Sequence, residues 1–94
     1  MIQSFKGDWA EALHKLEMPG KGFPAGLVRT AQRKLAMLDA AVRFENLRVP
    51  PGNRLEALAG DRKGQHSIRI NDQWRICFKW SDAGPEDVEI VDYH

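Results

Sequence analysis

Apolar residues recur at helical spacing in the first half of the chain and at alternating spacing in the second. Trp9, Ala12, Leu13 and Leu16 repeat every three or four positions, which predicts a short helix from Asp8 to about Glu17. Asp8 and Glu11 have capping-box spacing, in which one side chain accepts from free backbone amides and the other reaches back. Pro19-Gly20-Lys21-Gly22 ends that segment, and Pro24 suits the first turn of a second helix because its missing amide costs little there. Leu27, Val28, Ala31, Leu35, Leu38 and Val42 mark one apolar stripe, with Arg29, Arg33 and Lys34 mostly off it. Val49-Pro50-Pro51-Gly52-Asn53 stops the pattern. Beyond Leu55, the segments His66 to Ile70, Gln73 to Trp80 and Asp87 to Tyr93 alternate as strands. Asn71-Asp72 predicts a two-residue hairpin turn, and Ser81 to Glu86 a longer one. Ile2 to Phe5 reads as a further short strand at a sheet edge. The expected fold class is α+β, with two N-terminal helices packed on one face of a twisted antiparallel sheet of three to four strands. It forms a single domain over residues 1–94.

Strand parity divides the sheet into two faces. Trp74, Ile76, Phe78 and Trp80 share the helix-covered face with Ile68, Ile70, Val88 and Ile90. Ser67, Arg69, Arg75, Cys77, Glu89, Val91 and Tyr93 then share the other, which the pattern leaves open. Asp92 and His94 fall on the core side by strict alternation, but the strand is ending there and the rule loses force.

Composition narrows the function classes. The hydrophobic share of 43% and charged share of 29% suit one globular domain, and no run approaches a membrane span. The start of the chain has no signal-peptide pattern. A lone cysteine, Cys77, forms no internal disulfide and reads as a packing residue, so a reducing cytoplasm is the expected setting. The net charge of +1 hides an asymmetry. Residues 21–80 carry twelve of the 14 basic residues, whereas residues 81–94 carry five acidic ones and no basic one. The scattered histidines show no zinc-ligand spacing, and neither a metal nor another cofactor is expected.

Arginines, a tyrosine and a histidine around an open sheet face suit a phosphate-bearing ligand. Guanidinium groups hold phosphate by paired hydrogen bonds, tyrosine stacks on bases, and histidine moves protons near neutral pH. Cutting RNA without a metal needs these parts: a base for the ribose 2′-OH, cations for the phosphorane and an acid for the leaving 5′-oxygen. Taken singly, Arg75 reads as a surface arginine, and His14 and His66 as structural histidines. Tyr93 and His94, closing a strand together, read as functional.

The run from Leu55 to Trp80, LEALAGDRKGQHSIRINDQWRICFKW, followed by VEIVDYH, resembles the HigB/GraT family. These are toxins of type II toxin–antitoxin systems within the RelE/ParE superfamily. Weaker similarity extends through residues 33–41 and the opening Met1 to Phe5, and Pro50 to Leu55 is nearest to the GraT-like branch. The resemblance implies a ribosome-dependent, metal-independent mRNA endonuclease that inhibits translation and growth. Its catalytic residues would be Arg75 at the scissile phosphate and Asp92, Tyr93 and His94 for orientation, stacking and proton transfer. Arg62, Lys63, Arg69 and His66 would contact RNA. Some relatives carry His-Pro-Leu-Lys before the Gly-Asp-Arg loop, where this chain has Glu56-Ala57-Leu58-Ala59. Glu56 would then serve as the general base, and losing the lysine at Ala59 implies a milder nuclease. Implied partners are an adjacent helix-turn-helix antitoxin (HigA/GraA-like), the ribosome and mRNA, and a toxin–antitoxin heterotetramer on operator DNA. The alternative is a toxin that inhibits growth by binding, through ribosome assembly or gyrase.

Overall fold

The computed structural model describes residues 1–92. Two α-helices, α1 (Asp8–His14) and α2 (Val28–Ala40), precede four strands: β1 (Glu56–Ala57), β2 (His66–Arg69), β3 (Trp74–Ser81) and β4 (Gly84–Asp92). The strands form one antiparallel sheet in the order β1-β2-β3-β4, so the molecule is α+β. Among the described residues no helix is long and apolar enough to cross a membrane.

The first helix is shorter than the apolar repeat suggests. Gly7 occupies its N-cap with no side-chain cap, so the capping box expected of Asp8 and Glu11 does not form. Asp8 is instead the first helical residue, where a carboxylate favours the helix dipole, and Glu11 pairs with Lys15 at 3.1 Å. The helix stops at His14, and Leu16 adopts a left-handed φ of 61° and faces solvent.

Pro24 caps a 3-10 turn over Ala25–Leu27, which leads into α2. Ala31, Leu35 and Leu38 are fully buried, as the stripe requires. Val42 lies beyond the helix end and is exposed. Lys34 is buried, contrary to its expected place off the stripe. It lies three residues after Ala31 and four before Leu38, so helical geometry puts it on the same face. Its ammonium donates to Oδ1 of Asn53, a fully buried side chain in the loop beyond α2.

Helix α1 packs against α2 and β4 over a core that includes Leu13, Leu35, Leu38, Ile76, Phe78 and Val88. Trp9, Phe23 and Trp74 close one end of it, with Trp74 5.4 Å from Trp9 and 5.2 Å from Phe23 between ring centroids. Trp80 is only half-buried, although parity places it with the core.

The fourth strand is not the one expected. Glu56–Ala57 pairs with β2, whereas the N-terminal segment runs beside β4 as a single parallel bridge between Phe5 and Val88. Backbone bonds from Gln3 to Pro85, Val88 to Ser4 and Lys6 to Val88 fix it there and cover that sheet edge. Both turns also differ from expectation. Ile70 pairs back to Trp74, so the β2–β3 turn contains three residues, and Asn71 Oδ1 accepts from the amides of Gln73 and Trp74. The β3–β4 turn is the two-residue Asp82-Ala83, with Gly84 and Pro85 already in β4. A bulge at Asp87 and Val88 absorbs the extra residue, with Asp87 at a φ of 51°.

Candidate active site

Arg75 sits where three strands and a loop meet. In the register, Glu56 lies opposite Ser67, Ser67 opposite Cys77, and Arg69 opposite Arg75, which lies opposite Val91. The Arg75 guanidinium donates from Nη1 to Ser67 Oγ at 3.0 Å and to the Arg54 carbonyl at 3.3 Å, and from Nη2 to Glu56 Oε1 at 3.2 Å. Its side chain is 12% exposed, against 49% for Glu56. Arginine's planar fork of donors suits this arrangement, with contacts on two of its nitrogens.

The Arg54 carbonyl is placed by its loop. Arg54 adopts a left-handed φ of 45° after the Pro51–Asn53 3-10 turn. Asn53 anchors that turn by donating from Nδ2 to the carbonyls of Leu47 and Val49 at 3.1 and 3.3 Å, while accepting from Lys34. Burial lowers the Lys34 pKa from 10.5, and the charges of Arg33 and Arg69 add to that effect.

The sheet face around Arg75 is less open than parity implied. Ser67 and Cys77 on that face are both fully buried. Arg62 reaches across to Glu89 at 3.0 Å and to Gln65 at 3.2 Å, and Glu89 lies opposite Cys77 in the register. Burial pushes the Cys77 thiol above its ordinary 9.0, Arg62 pulls it down, Glu89 raises it and Arg75 lowers it. A raised folded-state value stabilises the fold below pH 9.0, and that contribution is lost as pH rises through the folded value. Buried and protonated, Cys77 should react with a maleimide at pH 8 at least about 100-fold more slowly in the native protein than in denaturant, since it must wait for opening. Comparable rates, followed by mass spectrometry, would show that the thiol is accessible.

The other expected site residues separate into groups. Glu56 is brought onto Arg75, and Arg62 and Arg69 lie on the same face, with Arg69 paired to Asp72. Asp92 ends β4 opposite Trp74 and accepts from Gln73 Nε2 at 3.0 Å. Lys63 is exposed in the loop after the Gly60–Arg62 turn. His66 is not brought together with Arg75. It shares the helix-covered side with Ile68 and packs edge-on against Phe44 at 4.6 Å, and its Nδ1 is buried without a hydrogen-bond partner among the described residues. Alternation thus turns His66, expected as an RNA contact, to the face opposite Arg75. Tyr93 and His94 lie outside the described residues. Ser67, Glu89 and Asn53 were not singled out as site residues. Parity had put the first two on the right face, but a lone serine and glutamate carry no chemical signal until a register places them.

A family model described as "RelE-like toxin of type II toxin-antitoxin system HigB" matches residues 3–94. The chain is 42% identical over 83 residues to Toxin HigB-1 of Vibrio cholerae, covering 88% of this chain and 87% of that protein. It is 31% identical over 94 residues to Endoribonuclease HigB of Proteus vulgaris, covering 100% of both. An uncharacterized protein of Haemophilus influenzae is 30% identical over 80 residues, covering 85% of this chain and 79% of that protein.

Proposed function

Because the chain belongs to the HigB-like family, the RelE-like toxins of type II toxin–antitoxin systems, we propose that it is an endoribonuclease that cuts mRNA on the ribosome. The observation that carries this reading is the Glu56–Arg75 pair, a carboxylate and a guanidinium 3.2 Å apart, held from behind by Ser67 and the Arg54 carbonyl. One group accepts a proton and the other stabilises a phosphorane, which are two of the three tasks in 2′-OH attack. The name of the Proteus vulgaris relative, Endoribonuclease HigB, supports RNA cleavage as the activity.

In the proposed reaction Glu56 takes the proton from the ribose 2′-OH. The 2′-oxygen attacks the adjacent phosphorus, and the charge that builds on the phosphoryl oxygens is met by Arg75. The bond to the 5′-oxygen then breaks, leaving a 2′,3′-cyclic phosphate. His94 protonates the departing oxygen, Tyr93 stacks on a base, and Asp92 orients them. Proton transfer by one such group contributes about 10²–10⁴ in rate, and preorganised charge often more. Arg62, Lys63 and Arg69 follow the RNA backbone. The partner antitoxin is a helix-turn-helix protein encoded next door, the complex binds operator DNA, and the toxin acts in the cytoplasm.

Mapping mRNA 5′ ends after brief induction tests the reading. New 5′-hydroxyl ends at positions set by the reading frame are expected within minutes. Growth arrest with no new ends would leave a toxin that acts by binding.

A further inference from the structure

Each arginine on the Arg75 face is already engaged by a carboxylate. Glu56 lies 3.2 Å from Arg75, Glu89 lies 3.0 Å from Arg62, and Asp72 pairs with Arg69. The three pairs come from different elements: Glu56 from β1, Glu89 from β4 and Asp72 from the β2–β3 turn. The Arg62–Glu89 pair is the most enclosed, with side chains 32% and 23% exposed over the buried Cys77. We infer that Glu89 and Asp72 are specificity-determining placeholders, whose carboxylates occupy Arg62 and Arg69 until RNA phosphates displace them.

The inference rests on the endoribonuclease reading and gives that site a threshold. Affinity for a nucleic acid comes chiefly from phosphates that release counterions as they meet cations. An arginine held by a carboxylate releases none until the pair is broken, so each placeholder subtracts from affinity for loose RNA. A substrate already ordered by a large assembly presents its phosphates together and overcomes several pairs at once. The placeholders thereby favour presented RNA over free RNA without contributing an atom to bond cleavage.

The test measures binding of a fluorescein-labelled, 2′-O-methyl single-stranded RNA by anisotropy over a series of salt concentrations, with cleavage on ribosomes assayed in parallel. Glu89→Gln keeps the shape and removes the charge. It should bind about threefold to fivefold more tightly, the scale of one partly exposed ion pair. The slope of log K against log salt should steepen by about 0.7, one further phosphate on a single strand. Adding Arg62→Gln to that variant should return both quantities to wild-type values. Asp72 is 97% exposed, so Asp72→Asn carries little risk to folding and should steepen the slope in the same direction with about a twofold gain. Equal tightening with and without Arg62 would overturn the inference, since removing any negative charge would then suffice. Unchanged affinity and slope in both single variants, in a protein that still cuts mRNA on ribosomes, would overturn it and leave the nuclease intact. A wild-type protein that neither cuts on ribosomes nor binds the RNA would remove both.

Discussion

Arg75→Ala is expected to lower ribosome-dependent cleavage by about 10²–10³-fold, the loss typical of removing one preorganised donor from a developing anion. The guanidinium meets Ser67, the Arg54 carbonyl and Glu56, so it is oriented before substrate arrives and needs little reorganisation during the reaction. If it acts on the transition state, kcat and kcat/KM should fall together. Truncation deprives the buried Ser67 hydroxyl of a donor it now uses, at a cost of about 1 kcal/mol. Arg75→Lys separates charge from geometry, because it keeps a cation and loses the fork. It should recover only part of the lost rate, with about tenfold impairment remaining. Cleavage within threefold of wild type in Arg75→Ala would remove this arginine from the phosphate.

Asn53→Ala should have the largest effect on stability, about 2–4 kcal/mol, read from denaturant unfolding. The substitution removes the acceptor for the buried Lys34 ammonium and the donors to two loop carbonyls. A buried charge left without its partner is the expensive outcome. The double variant Lys34→Met with Asn53→Leu, apolar at both positions, should recover much of the loss. Residual folded Asn53→Ala should also cut poorly, since the same loop delivers the Arg54 carbonyl to Arg75. A loss below 0.5 kcal/mol, about the size of an ordinary surface change, would mean that the pair does not hold this loop.

Much of the sheet was legible because its signal is local. Ile76 and Phe78 alternate with Arg75 and Cys77, and the pleat converts that order directly into two faces. Arg75 and its neighbours could thus be placed together before any register was known. The rest depended on contacts between distant segments. Glu56 joins Arg75 through a two-residue strand, too short to leave an alternating pattern. Lys34 looked peripheral because its charge outweighed its position, and only Asn53 explains its burial. The capping box failed because Gly7 took the cap, and backbone conformation at a glycine is invisible to a side-chain spacing rule. His66 carries the same local signal, since its parity with Ile68 turns it toward the helix-covered side, where it packs against Phe44.

The bulge in β4 makes the two ends of the last hairpin independent in register. On one side Ser81 meets Gly84 and Lys79 meets Glu86, while on the other Cys77 meets Glu89 and Trp74 meets Asp92, one residue out of step. The extra residue is tied down locally, since Asp87 donates its amide to Ser4 Oγ and its carboxylate lies 3.5 Å from Lys79. The bulge at Asp87 therefore separates the Asp82-Ala83 tip from Glu89 and Asp92, and an insertion at the tip should leave both on their present face. For the engineer, that tip is the place to graft a label or an epitope.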